Sequence, residues 1–351
     1  MTKPAHNTFA IDGRAIGGGR AFVIAEVAQS HDGSLGLAHA FIDGAATAGA
    51  DAIKFQTHIA AAESTLDEQF RVKFSRQDAT RYDYWKRMEF TAEQWAGLAQ
   101  HARENKLVFL SSPFSLQAMA LLQRIGMPAW KVGSGEVTSM DLLQAMAATG
   151  APVLISSGIS TYAELGGAVT LVRKAGAAVA VFQCTTKYPT PLAEVGLNVL
   201  GELRQRFDCP VGLSDHSGKP FPSLAAMARG ADLIEVHFAL DRTMFGPDVP
   251  VSLTPAELRL LADARDAFAE MDAAPVDNDA MAQTLAPMRV LFTKSLAAAA
   301  ALPKGTVLSA DMLTTKKPGT GIPPREMRAI VGRRLKHAVG PDRLLRLEDL
   351  E

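Results

Sequence analysis

From residue 22 to about residue 271, short apolar runs alternate with longer amphipathic stretches. FVIAEVA (22–28) is almost wholly apolar and predicts a buried strand, and LGLAHAFIDGAATAGA (35–50) has the spacing of the helix that follows it. Seven more short runs come after: AIKFQ (52–56), VFLSS (108–112), AWKVG (129–133), PVLISS (152–157), AVFQC (180–184), VGLS (211–214) and LIEVHF (233–238). Helical patterns lie between most of them, among them 91–105 and 254–271. A strand covered on both faces loses the alternation of a half-exposed one, so these runs predict parallel strands under helices. Eight βα units in about 250 residues predict an α/β fold of the TIM (β/α)8 barrel type, assigned to 1–271. A doubly wound open sheet is the alternative, but no G-x-G-x-x-G follows the first strand.

The loop from 58 to 90 is long and mixed, which predicts a short helix within it and a place at the mouth of the barrel. DAAPVDNDAMAQTLAP (272–287) reads as a linker by composition. Beyond it the apolar runs shorten, predicting a compact second domain over 288–351 with little core of its own.

Composition narrows the function classes. Lys and Arg (36) nearly balance Asp and Glu (37), for a formal charge of −1, so no electrostatic ground exists for nucleic acid or an anionic membrane as main partner. A local lysine cluster can still hold an anionic small molecule. Cys184 and Cys209 are too few for a disulfide framework and lack metal-site spacing, which predicts a reduced, cytoplasmic setting. The opening MTKPAHNTFAIDGRAIGGGR has no continuous apolar stretch of the signal-peptide kind. LAAAAAL (296–302) falls far short of the roughly 20 residues of a membrane span.

In a TIM barrel, chemistry gathers at the C-terminal ends of the strands. Those positions hold Glu26, Lys54, Gln56, Ser111, Ser112, Lys131, Ser134, Glu136, Ser156, Ser157, Thr185, Thr186, Ser214, Asp215, His216 and His237. Lys54 and Lys131, with Ser134, Ser156 and Ser214, can surround a phosphate and a carboxylate, the lysines giving charge and the hydroxyls directed donors. The plainer alternative pairs the lysines with neighbouring carboxylates; it suits one lysine better than two beside several serines. His216 and His237 end adjacent strands and, with a carboxylate nearby, suit Mn²⁺, Zn²⁺ or a similar ion that would polarise a carbonyl oxygen. His31 is a third candidate, while His39, His58 and His101 read as helix or surface residues. Glu26 and Glu136 can serve as acid or base, bind sugar hydroxyls, or pair with the lysines. Asp248 reads locally as a turn residue.

These segments, in this order, resemble the sialic acid synthase family, which includes legionaminate and pseudaminate synthases. The likeness is carried by IAEVAQSHDG, GADAIKFQT, SSPFS, KVGSGE, ISSG, QCTTKYPTP, GLSDHS, EVHF and GPDVPVSL. The tail, with F-x-x-SL, a PKG turn, KKPGTGI and VGR-L, resembles that family's C-terminal antifreeze-like (SAF, β-clip) domain. The resemblance implies a phosphoenolpyruvate-dependent nonulosonic acid synthase, an N-acetylneuraminate synthase-type transferase. It would act on an N-acetylated aldose: N-acetylmannosamine, its 6-phosphate or a diacetamido sugar.

By the same resemblance, Lys54, Lys131, Ser134, Ser156 and Ser214 hold phosphoenolpyruvate, with Glu26, Glu136 and the two lysines as the catalytic groups. His216 and His237 bind Mn²⁺, with Mg²⁺ or Co²⁺ as alternatives. Glu26, Gln56, Glu136, Tyr188 and Asp248 line the acceptor-sugar site. Phe292 and Lys317 reach over that site from the partner in a domain-swapped homodimer. Three places depart from the family pattern: Ser30-His31-Asp32-Gly33 replaces NHNG, Thr186 stands for Asn, and Lys317 for Arg. An ammonium in place of a planar fork is not a neutral exchange, so the acceptor sugar is what these departures touch. The remaining alternatives are a related synthase acting on a different aldose, and a non-catalytic sugar-binding scaffold, against which the intact Lys, Ser and His set argues.

Overall fold

A computed structural model describes residues 8–351; the first seven residues of the expected barrel segment and of its N-terminal stretch lie outside the described residues. A short hairpin, β1 (Phe9–Ile11) and β2 (Arg14–Ile16), comes first. The expected strands follow as β3 (Phe22–Ala28), β4 (Ala52–Thr57), β5 (Val108–Pro113), β6 (Trp130–Val132), β7 (Val153–Ser156), β8 (Val179–Cys184), β9 (Val211–Asp215) and β10 (Leu233–His237). They form one parallel sheet in the order β5-β4-β3-β10-β9-β8-β7-β6. Pairing of the first and last of these strands, β3 with β10 in the register Glu26↔His237, wraps the sheet round. The ladder lapses only between β5 and β6, which still lie side by side, so the barrel is nearly closed.

Helices Leu35–Thr47, Ala92–Glu104, Leu116–Ile125, Met140–Ala148, Tyr162–Lys174, Val199–Phe207, Phe221–Ala228 and Pro255–Ala273 each precede the next strand or follow the last. Two start on reciprocal capping boxes, Thr91 with Gln94 and Thr161 with Glu164.

Alternation along each strand sorts the core into two clusters. Val23, Ala25, Val27, Ile53 and Phe55 pack with the helices, whereas Phe22, Ile24, Ala52, Leu110, Leu154, Phe182 and Leu233 pack with one another inside the barrel. Ile11 and Ile16 of the hairpin join this inner cluster and stopper the N-terminal end. A Cβ on Gly212 would lie 2.7 Å from the Phe182 ring, so glycine is what lets so large a side chain sit in the interior. One step of two further along, the same inward parity reaches Glu26, Lys54, Ser156, Ser214 and Glu235. The barrel interior is therefore apolar at one end and charged at the other.

The chain divides into two compact units, Met1–Ala273 and Ala274–Glu351. In the second, β11 (Ser295–Ala298) and β12 (Leu313–Lys316) pair antiparallel, and single bridges such as Leu302↔Val339 and Leu335↔Leu350 tie the rest. Leu296, Leu308, Ile322, Ile330, Leu335 and Leu345 are in its small core. The stretch 272–287, read as a linker by composition, carries helix Asn278–Thr284 and the start of helix Ala286–Phe292. The Asp277 carboxylate caps the first by accepting from the Asp279 and Ala280 amides, and Pro287 falls in the first turn of the second, where no amide is needed.

Candidate active site

The charged end of the barrel interior is a network. Lys54 Nζ stands 2.7 Å from Glu26 Oε2 and 3.7 Å from Glu235 Oε2. Lys131 Nζ lies 3.6 Å from Glu235 Oε1 and donates to Ser156 Oγ at 2.6 Å. Ser214 Oγ donates to Glu235 Oε1 at 3.1 Å, and Gln56 Nε2 to Glu26 Oε1 at 2.9 Å. All four ions are buried, and removing each from water costs several kcal/mol, so the cluster holds together because its charges offset one another.

The carboxylates are not alike. Burial pushes the Glu26 carboxyl up to about 7, against the pull of Lys54. Burial acts on Glu235 as well, but Lys131 and Lys54 together hold it below the usual carboxylate range. Burial lowers Lys131, whereas Lys54, which burial would also lower, is raised by Glu235 and Glu26. Near neutral pH, with Glu26 partly protonated, the network carries an excess of positive charge. Both lysines do have carboxylate partners, so the plainer expectation is realised in part. The partner of Lys131 is Glu235, which sequence reasoning passed over. Its parity was the available signal, since Leu233, Glu235 and His237 alternate along one strand. Glu136 pairs with neither lysine; it sits half-buried in the short turn Ser134–Glu136, accepts from Ser139 Oγ at 2.9 Å, and is pushed up by burial. Ser134 Oγ donates to Cys184 Sγ at 3.6 Å. Gly158 makes its position feasible: φ is +27°, and a Cβ there would fall 1.9 Å from Ser134 Oγ and 2.5 Å from Thr186 Oγ1.

The imidazoles of His216 and His237 lie 5.2 Å apart, centre to centre. His216 Nδ1 donates to the Thr185 carbonyl at 2.9 Å, which leaves the Nε2 lone pair available, with the Tyr188 hydroxyl 3.2 Å away. Tyr188 stacks on His216 at 4.1 Å and meets His237 edge-on at 5.9 Å. His237 is buried, and its Nδ1 has no hydrogen-bond partner among the described residues. Burial, followed by the neighbouring His216, holds its pKa well below the ordinary value, so the ring is neutral, the form that binds metals. A buried His237 nitrogen without a partner, beside a second imidazole whose Nε2 meets only the exchangeable Tyr188 hydroxyl, is a donor set that fits a divalent ion. The carboxylate expected with them is not placed as a third ligand. Asp215 instead accepts from Ser217, and no group of three or more His, Cys, Asp or Glu among the described residues is arranged to hold a metal.

His31 does not join this pair. It is buried, its Nδ1 accepts from the Gly33 amide at 3.1 Å, its ring lies 4.9 Å from Phe90, and burial lowers it to about 3. His58 is not a surface residue either: it is sandwiched between Trp85 (3.9 Å) and Phe114 (4.4 Å) and paired with Glu63.

Beside the imidazoles opens a cavity of about 620 Å³. Gln56, Ser134, Tyr188, His237 and Asp248 of the expected set line it, together with Thr186. Asp248 precedes the turn Val249–Val251; burial raises its carboxyl, with Arg71 Nη2, 3.6 Å away, pulling the other way. Arg71 also lies 4.1 Å over the Tyr188 ring. It comes from the 58–90 loop, which folds as helices Ala60–Glu63 and Arg81–Met88 around buried Tyr84, Trp85 and Met88. A loop at the mouth was expected, but no periodicity marks which of its side chains turns inward. Phe292 and Lys317 belong to the second unit, where the Lys317 ammonium is 5.1 Å from the Phe292 ring.

Comparison with known proteins fixes the class. The NeuB family model matches residues 41–274, and the SAF domain model residues 293–351. The chain belongs to the NeuB family. It is 32% identical over 334 residues to the N,N'-diacetyllegionaminic acid synthase of Campylobacter jejuni, covering 93% of this chain and 99% of that one. It is also 32% identical over 346 residues to the human N-acetylneuraminate-9-phosphate synthase, covering 94% and 93%. The crystal structure of the N-acetylneuraminic acid synthetase of Leptospira borgpetersenii superposes with a TM-score of 0.71 at 28% identity, covering 81% of this chain and 96% of that one. This NeuB-family chain is thus an enzyme of the N-acetylneuraminate synthase type. Among the described residues no helix is long and apolar enough to cross a membrane.

Proposed function

We propose that this NeuB-family chain condenses phosphoenolpyruvate with an N-acetylated aldose, giving a nine-carbon α-keto sugar acid and phosphate. Its main support is the network of Lys54 and Lys131 among hydroxyls, buried close to an imidazole pair of which His237 lines a cavity with both polar and apolar walls. The phosphate and carboxylate of phosphoenolpyruvate bind against the two lysines, with Ser134, Ser156 and Ser214 as directed donors. Gln56, Glu136, Tyr188 and Asp248 face the sugar. His216 and His237 would hold a divalent ion, Mn²⁺ in this reading with Mg²⁺ or Co²⁺ as alternatives, which would supply Lewis-acid polarisation of the sugar aldehyde.

With both substrates so held, C3 of phosphoenolpyruvate bonds to the aldehyde carbon and positive charge develops at C2. Glu26, which keeps its proton to about pH 7, gives it to the former aldehyde oxygen. Water adds at C2 and returns a proton to Glu26. The C2–O bond to phosphate then breaks, the new hydroxyl's proton leaves with phosphate, and the keto acid remains. The lysines stabilise charge throughout without moving, as preorganised groups in a water-poor site do.

The test is phosphate release and product mass with N-acetylmannosamine, its 6-phosphate and a diacetamido sugar, each with Mn²⁺, Mg²⁺ or Co²⁺. Release that needs both phosphoenolpyruvate and a sugar is expected; none across the whole panel rejects the proposal. The same reading includes a homodimer in which Phe292 and Lys317 complete the partner's acceptor site. Exposed Met281, Leu285, Met288, Leu291 and Phe292, concentrated in two adjoining helices, support a partner surface there. Co-expressing His216→Ala with Lys317→Ala chains should restore activity above the sum of the two alone; recovery no greater than that sum rejects the swap.

A further inference from the structure

We propose that Arg71 determines acceptor specificity, and that with Asp248 and the apolar wall beside them it selects an aldose whose far end carries an acylamino group rather than a phosphate. The proposal rests on the synthase reading above and goes further into the same site.

Arg71 and Asp248 line one cavity, their charged atoms 3.6 Å apart, a contact too long to saturate either group. The Arg71 guanidinium makes no hydrogen bond among the described residues, and its side chain is 49% exposed. A guanidinium only donates and an ionised carboxylate only accepts. Side by side they offer one donor and one acceptor, the complement of an amide, whose carbonyl accepts and whose N–H donates.

Charge argues against phosphate at this end. Arg71 is matched by Asp248, and Arg81, on the same wall, by Glu68 at 3.2 Å, so the wall that the barrel itself supplies carries no excess positive charge. The lysine network inside the barrel differs in that respect. Phe70, Val72, Phe74 and Phe114 complete the wall. They suit acyl methyl groups and a deoxygenated terminal carbon, and would strip water from a phosphate without replacing it. Tyr188 sets the distance: the guanidinium lies 4.1 Å from its ring and His237 5.9 Å from it. With its aldehyde at the imidazoles, the sugar of this proposal runs its far carbons across Tyr188 towards Arg71.

The experiment compares kcat/KM for N-acetylmannosamine, its 6-phosphate and a 2,4-diacetamido-2,4,6-trideoxy aldose in the wild-type chain, Arg71→Ala and Arg71→Lys. The wild type should favour the diacetamido sugar by about tenfold or more, because a site built to pair an amide discriminates against ligands that leave it unpaired. Arg71→Ala should reduce that preference about tenfold through the acceptor KM, with the phosphoenolpyruvate KM moving less than twofold. Arg71→Lys should not restore it, since one ammonium cannot replace a fork of donors. Preference for the 6-phosphate or for N-acetylmannosamine overturns the proposal and leaves the synthase reading standing. So does a preference unchanged in Arg71→Ala, or a loss shared equally by kcat and the phosphoenolpyruvate KM, which would make Arg71 a packing residue. No turnover with any of the three sugars overturns both.

Discussion

Replacing Glu235 by Gln should destabilise the barrel by about 3–5 kcal/mol, the range for removing one partner of a buried ion pair. The size follows from who is left behind. Lys54 keeps Glu26 at 2.7 Å, but Lys131 has no other carboxylate within ion-pair distance among the described residues. At 3.6 Å and an effective dielectric constant of about 20, the lost attraction is about 4–5 kcal/mol. An upper bound comes from proton loss. A lysine with an ordinary value of 10.5 can be neutralised at pH 7 for about 5 kcal/mol, so a costlier buried charge would simply disappear.

Fluorescence-detected urea unfolding measures this directly, because Trp85, Trp95 and Trp130 all lie in the first unit and report on the barrel alone. Lys131→Met should also cost stability, and the double variant should lose less than the two single losses together, by about 2 kcal/mol or more, since the second change removes the orphaned charge. In Glu235→Gln, Lys131 should titrate lower in the folded chain than in the unfolded one. The folded state then binds fewer protons, and the deficit against wild type should narrow as pH rises from 7 towards 9. Additive losses, or a Glu235→Gln loss below about 1 kcal/mol, would refute the assignment of Glu235 as the counter-charge of Lys131.

Glu26 gives the opposite pH dependence: it keeps its proton to about pH 7 folded but only to its ordinary 4.5 unfolded, so its contribution to stability is full at acid pH and is lost as pH rises through 7. Glu26→Gln should flatten that part of the stability–pH curve, and an unchanged slope would contradict the assignment. Gly158→Ala would drive a Cβ into Ser134, so it should cost about 1–3 kcal/mol and raise the phosphoenolpyruvate KM; wild-type behaviour in both would show that the Ser134 turn yields freely. His237→Ala should weaken Mn²⁺ binding, read by paramagnetic resonance, by about tenfold or more, and unaltered binding would place the ion elsewhere.

The barrel was legible because its strands are covered on both faces and their apolar runs stand out from amphipathic helices. The hairpin Phe9–Ile11 and Arg14–Ile16 was not, since strands of three residues are too short to show a period. The helices through 272–287 were missed because composition was weighed above the Asp277 cap. The placing of side chains in the charged network was legible where a strand's end fixed it. Arg71 was not, because its place depends on how a loop folds over Tyr84 and Trp85. Glu136 looked equivalent to Glu26 by position after a strand, yet one lies within β3 and the other in a turn beyond β6, and only the first meets a lysine.

Glu235 explains why such a barrel can fold at all. Two ammonium groups suited to a phosphate and a carboxylate would be ruinous to bury in an empty site, because each carries several kcal/mol of desolvation. A carboxylate between them offsets that cost before any ligand arrives, but two fully ionised carboxylates would cancel the charge the ligand needs. The structure divides the task. Glu235, held low by both lysines, stays ionised and supports the fold, while Glu26, raised by burial to about 7, can give up its negative charge by taking a proton. An anion bound against Lys54 would raise Glu26 further, so uptake of a proton by Glu26 accompanies binding and arms the group proposed to donate it.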